Sequence, residues 1–145
     1  MLRIAFSLGI YLPHLAAATC YYPDDTVTPE DVSCRYTGNS SCCSFGWTCL
    51  SNGLCQNPSP TINDHGGGKY YRGSCTDPTF NSPNCAAVCL KPGVDSLNAA
   101  AEIVWCNSAG GRDFFYCYHS SNTTVPDCSF GTTDTRIIHL PGELD

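Results

Sequence analysis

Apolar positions in this chain come in short bursts separated by glycine, proline and small polar residues. The longest, Ile4 to Leu12, is continuous rather than periodic. It follows Arg3, is broken by Pro13 and leads to Ala16 and Ala18 at small-residue cleavage positions, so residues 1–18 read as a secretory signal peptide. The run is far short of the roughly 20 apolar residues that span a bilayer. Further on, Ser82 and Pro83 read as N-cap and first helical position. They predict a short helix over Pro83–Leu90, stopped by Pro92 and Gly93, with Cys85 and Cys89 one turn apart and aimed at the same neighbour. A second helix is expected from about Ser96, capped by Asp95 or Ser96, with Leu97, Ala100, Ala101 and Val104 on its apolar side. Its end is ambiguous, because Ile103 to Cys106 also fits a strand. Asp113 to His119 alternates aromatic residues on both faces and reads as a strand, and Thr135 to Leu140 as a weaker one.

Cysteine changes the picture most. All 12 follow the cleavage site, and an even count at this density in a secreted chain implies a disulfide framework. A zinc cluster would want a C-x2-C pair or suitably spaced histidines, and neither occurs. Cys20, Cys34, Cys42, Cys43, Cys49 and Cys55 precede a stretch of 19 residues without cysteine; Cys75, Cys85, Cys89, Cys106, Cys117 and Cys128 follow it. That stretch carries Pro58, Pro60 and Gly66 to Gly68, the composition of a linker. The expected organisation is a signal peptide (1–18), a cysteine-rich module (19–57), a linker (58–74) and a second module (75–145). Each module would close its cysteines among themselves. The first should be loops and short strands and the second α+β, both stapled by disulfides because so few aliphatic side chains are available.

Net charge is −6, with six basic against 13 acidic side chains once Arg3 is removed with the signal. That argues against nucleic acid or an anionic membrane surface as partner. Neither a lipid-anchor tail at Thr135–Asp145 nor a small residue ahead of Cys20, as a lipoprotein signal requires, is present. The expected product is a soluble protein outside the cytosol. Asn39-Ser40-Ser41 and Asn122-Thr123-Thr124 are glycosylation acceptors in polar loops, whereas Asn57 is excluded by Pro58.

Catalytic signals are thin. His65 with Gly66 to Gly68 resembles the oxyanion loop of lipases, but no G-x-S-x-G accompanies it. Asp24 with Asp25 and Glu30 with Asp31 lie beside Pro23 and Pro29, where acids serve turns. His119 and His139 have no nucleophile spaced to join them. No cofactor motif or metal-ligand set is present. The reading is therefore non-enzymatic. The candidate site is the loop Ser44-Phe45-Gly46-Trp47 between Cys43 and Cys49. A five-residue loop pinned by cysteines has little interior in which to hide two rings. Exposed rings stack on sugars, and the Ser44 hydroxyl beside them would orient the ligand.

Three resemblances attach to these residues. The Cys42-Cys43-Ser44 run and its spacing to Cys49 resemble the hevein-like chitin-binding module over Cys34–Cys55. That likeness carries Ser44 over, while the aromatic positions shift to Phe45 and Trp47. The order of the first six cysteines, with its central doublet, resembles knotted frameworks, which join first to fourth, second to fifth and third to sixth. This implies a knotted module with Cys20–Cys43, Cys34–Cys49 and Cys42–Cys55, among the several pairings six cysteines allow. Finally, Cys20-Tyr21-Tyr22-Pro23-Asp24, Cys42-Cys43 to Cys55 and Tyr70 to Pro78 resemble cysteine-rich extracellular proteins of filamentous fungi. That likeness implies an extracellular location and a cysteine-stapled architecture. The expected function is non-enzymatic extracellular binding at a cell surface or wall, or effector-like against a host or competitor, with wall polysaccharide or an extracellular protein as partner; a small secreted hydrolase or a protease or other enzyme inhibitor is the alternative.

If disulfides hold the chain, protein unfolded in denaturant without reductant should show no reactive thiol. A titration that finds several would overturn the cross-linked reading.

Overall fold

In the computed structural model, residues 18–61, 67–109, 112–119, 126 and 137–140 are described. They contain 11 strands and no helix, arranged in two antiparallel sheets. No helix among them is long and apolar enough to cross a membrane. The first sheet has the order β2-β1-β8-β4-β3, from β1 (Cys20–Tyr21), β2 (Val27–Thr28), β3 (Asp31–Ser33), β4 (Ser41–Ser44) and β8 (Ser74–Cys75). The second has the order β11-β10-β9-β7-β6-β5. Its strands are β5 (Thr48–Cys49), β6 (Cys55–Gln56), β7 (Tyr70–Arg72), β9 (Ala101–Ala109), β10 (Arg112–Cys117) and β11 (Ile137–Leu140).

Among the described residues the second half is thus strand and loop, not α+β, and the two expected helices are corrected. Over Pro83–Leu90 a single turn forms, in which Cys85 N–H donates to the Ser82 carbonyl and the Ser82 hydroxyl accepts from Asn84 N–H. It goes no further because the next backbone groups are taken by β4. The Asn84 carbonyl accepts from Ser41 N–H, and Ala86 N–H donates to Ser41 Oγ. Cys89 sits at φ 53°, outside helical space. Cys85 and Cys89 also do not share a neighbour: the first bonds to Cys75 on β8, the second to Cys117 on β10. The helix expected from Ser96 is lost to Arg72, whose guanidinium binds the carbonyls of Ser96 and Ala99. From Ala101 the chain is strand, paired with β7 on one side and β10 on the other. Ala101, Ile103 and Phe115 face one core cluster with Leu54, Tyr70 and Ala86, while Val104, Phe114, Tyr116 and Ile137 form another. Two buried faces explain why an apolar pattern with helical spacing belongs to a strand.

Residues 70–75, at the end of the stretch with linker composition, form β7 and β8 and enter both sheets. Gly73 is the crossing point between them. A Cβ there would collide with the Cys42 carbonyl and lie 2.7 Å from Cys55 Sγ, so only glycine fits. Arg72, just before it, is fully buried, and burial lowers its pKa to about 10 against the raising influence of Asp95, Tyr22 and Asp24.

The disulfides are Cys20–Cys42, Cys34–Cys49, Cys43–Cys55, Cys75–Cys85 and Cys89–Cys117. Cys106 is also disulfide-bonded, and Cys128 lies outside the described residues. Cys34–Cys49 is the pairing the knotted order implies. The other two implied bonds, Cys20–Cys43 and Cys42–Cys55, are corrected by an exchange within the doublet. Side chains alternate along a strand. The register Tyr21–Cys75–Ser41 puts Cys20 and Cys42 on one face, bridging over β8. Cys43 points the other way, to β6 of the second sheet. Cys34–Cys49 closes 15 residues, which by restricting the unfolded chain contributes about 3 kcal/mol.

Gly73→Ala should destabilise the protein by about 3 kcal/mol or prevent folding, because neither a backbone carbonyl nor a disulfide sulfur can move aside. Urea denaturation measures this; a loss below about 1 kcal/mol would show that the crossing is looser than described.

Candidate binding site

The loop after β4 is a tight turn. Trp47 N–H donates to the Ser44 carbonyl (2.9 Å), and Gly46 at the third position has φ +84°, which a type II turn demands of that residue. Phe45 N–H donates to the Glu30 carbonyl (3.3 Å), tying the turn to the end of β3. Cys43–Cys55 ties one end of the turn to β6, and Cys34–Cys49 ties the other to the residue that follows β3. Phe45, at the outer corner, is 87% exposed, and Val32 beside it is 53% exposed. Together with Trp47 they line a shallow groove of about 210 Å³.

Trp47 does not enter a core. Its ring lies 4.9 Å from that of Tyr71, tilted by 49°, and both rings are half-buried. Tyr71 was outside the expected site, in the stretch read as linker. Its signal was the Tyr70-Tyr71 doublet, since a strand must send one ring to each side. Tyr70 packs edge-on against Phe115, and Tyr71 meets Trp47. Desolvation, with a smaller effect from Glu102 opposite it on β9, raises the Tyr71 pKa. The phenol therefore stays a donor through the neutral range.

Ser44 donates to Asp31 Oδ1 (3.0 Å), and Asp31 Oδ2 accepts from Ser74 Oγ (2.5 Å). The carboxylate fixes the Ser44 rotamer and uses its proton, leaving the oxygen lone pairs as acceptors for a ligand hydroxyl. Ser44, Phe45 and Trp47 are thus brought together as the sequence suggests, with Tyr71 added.

The other candidates are not assembled. Asp31 is committed to two serines, and Asp24 lies in an exposed turn where the Thr26 hydroxyl, and to a smaller extent the Thr26 N–H, lower its pKa. His119 meets Asp95 at 3.2 Å, away from this loop. Asn39 is exposed, as a glycan acceptor must be. Asn122 and His65 lie outside the described residues, and the side chain of His139 does also. Two neighbouring basic residues make no exposed patch: Arg72 is buried and Lys69 lies over the Tyr70 ring.

The chain matches no protein-family model, no curated protein and no solved structure in the comparisons made with each. The site must be read from its own geometry.

Tyr71→Ala removes the surface on which Trp47 rests. It should cost about 1 kcal/mol of stability and shift Trp47 emission to the red, read in a Trp105→Phe background. Unchanged emission would mean that the two rings do not meet in solution.

Proposed function

We propose that this is a secreted, non-enzymatic protein that binds carbohydrate of a cell wall or cell surface through the loop Ser44, Phe45 and Trp47, with Tyr71 completing the aromatic face. One observation carries the reading. Two large rings sit outside every core cluster on a turn held by two disulfides, beside a fixed hydroxyl and a groove. Folding gains little from Phe45 in that position, since it buries almost none of its surface. A ring that is rigid, exposed and paired with an oriented polar group suits the face of a pyranose, which is apolar in its plane and rich in hydroxyls at its edge. The multiple disulfides and the apolar leader support an extracellular setting. Binding is favoured over hydrolysis because the Asp31 carboxylate beside the loop is engaged by the Ser44 and Ser74 hydroxyls, an arrangement that orients a hydroxyl rather than one that presents a free acid and base to a substrate.

The mature protein should be retained on at least one of chitin, β-glucan or plant-wall material. Trp47→Ala and Phe45→Ala should each bind about tenfold more weakly, equivalent to about 1.4 kcal/mol. Retention of the variants equal to wild type, or no retention on any polymer, would defeat the proposal.

A further inference from the structure

The Cys34–Cys49 bridge separates two concavities. Cys49 borders the aromatic groove, and both cysteines border a second cleft of about 420 Å³. The second is different in kind. Arg35, Ser51, Asn52 and Asn84 line it, with Gly53 at its floor. Gly53 is held at φ +84°, and a Cβ there would press on Ser41 Oγ and Ala86 N, so its backbone packs closely against both.

Asn52 is the informative residue. Its Oδ1 accepts from Leu54 N–H at 3.0 Å, which sets the orientation of the amide, because the reverse orientation would place two donors face to face. Its Nδ2 is then buried with no hydrogen-bond partner. A buried donor left unmade is costly, and in native structures such a group calls for a missing acceptor. The Arg35 guanidinium at the same cleft is also a donor only. The Ser40 and Ser41 hydroxyls that line it are taken by protein partners, while the exposed Ser51 hydroxyl and the Asn84 amide can donate or accept. The two groups that can only donate, Asn52 Nδ2 and Arg35, are matched by carbonyl-type oxygen, which accepts without donating.

We propose that this cleft is a second subsite of the carbohydrate site, selective for a sugar that carries a carbonyl oxygen, either acetamido or uronate. The ring next to it in the same chain lies at Phe45 and Trp47. The proposal rests on the carbohydrate reading of the aromatic loop and adds chain length and substituent chemistry to it. A ligand would pass over the Cys34–Cys49 bridge, one ring stacked on the aromatic side and one substituent hydrogen-bonded on the polar side. A site built to hydrogen-bond one group rejects the analogue that lacks it, so the cleft rather than the rings sets specificity.

Calorimetric titration of the mature protein with three β- or α-linked tetrasaccharides tests this: one of N-acetylglucosamine, one of galacturonic acid and one of glucose. At least one of the first two should bind about tenfold or more tighter than the glucose tetramer, and which one does so separates acetamido from uronate. Asn52→Asp keeps the acceptor for Leu54 N–H and removes the donor, and should bring that affinity down to the glucose level. Ser51→Trp, at an exposed position, fills the cleft and should do the same with an unchanged melting temperature; it decides the matter if Asn52→Asp fails to fold. Equal affinity for the three sugars, or full affinity in Ser51→Trp, overturns the second subsite and leaves the aromatic face standing. Trp47→Ala should weaken all three. Its failure to do so, or absence of binding to any of the three, overturns the aromatic reading and the subsite with it.

Discussion

Two neighbouring cysteines on one extended strand cannot send their sulfurs the same way. Strand geometry puts Cys42 on one face of β4 and Cys43 on the other. The first bond therefore closes the first sheet across β8, and the second ties that sheet to β6 of the second. Gly73 carries the backbone between the sheets at the same point, beside the Cys42 carbonyl and Cys55 Sγ. Cys34–Cys49 adds a further link between the sheets a few residues away. Much of the fold depends on this small region. The strands are two to four residues long in the first sheet, and strands that short are not stable by pairing alone.

Cross-linking at that point frees side chains elsewhere from packing duty. The apolar clusters are modest and lie mainly on the two faces of β9 and β10. At the other end of the second sheet, the turn of Phe45 and Trp47 is held by sulfur and by hydrogen bonds to Glu30 and within the turn. Its rings can remain at the surface without loosening the loop that carries them. The chain Ser44–Asp31–Ser74 serves the same end from the first sheet, passing through a carboxylate that links β4, β3 and β8. A ligand meeting this face would find rings and a hydroxyl already in place, so little ordering would be lost on binding.

Loops in the second half are shaped by groups remote in the chain. Arg72, buried beside the crossing, gathers the carbonyls of Ser96 and Ala99 and lies over the ring of Phe80. Ser41 on β4 binds both Asn84 and Ala86. These contacts hold the long irregular stretch before β9 against the two sheets, in company with Cys75–Cys85 and Cys89–Cys117. The same stretch supplies Asn84 to the polar cleft. The cleft therefore belongs to both halves of the sequence.

Local sequence settles the disulfide character, the divergence of the doublet and the exposure of Phe45 at its turn. The Cys34–Cys49 bond is implied only by the resemblance to knotted frameworks, and Trp47, expected at the surface, is half-buried against Tyr71. The local properties follow from cysteine density, from adjacent residues and from a short turn with little interior. Local sequence also marks Asp113 to His119 and Thr135 to Leu140 as extended, and β10 and β11 fall there. Tertiary structure decided the rest. Which sulfur Cys42 meets depends on β8 lying between β1 and β4, a register set by residues more than 30 positions away. The two helices failed because Arg72 and Ser41 supply hydrogen bonds that a helix would have made within itself, and a helical pattern cannot reveal a distant competitor. Tyr71 meets Trp47 for the same reason: β7 is placed beside β6 by strand pairing, and the tyrosine doublet, which signals a ring on each side of a strand, cannot say which ring it will meet.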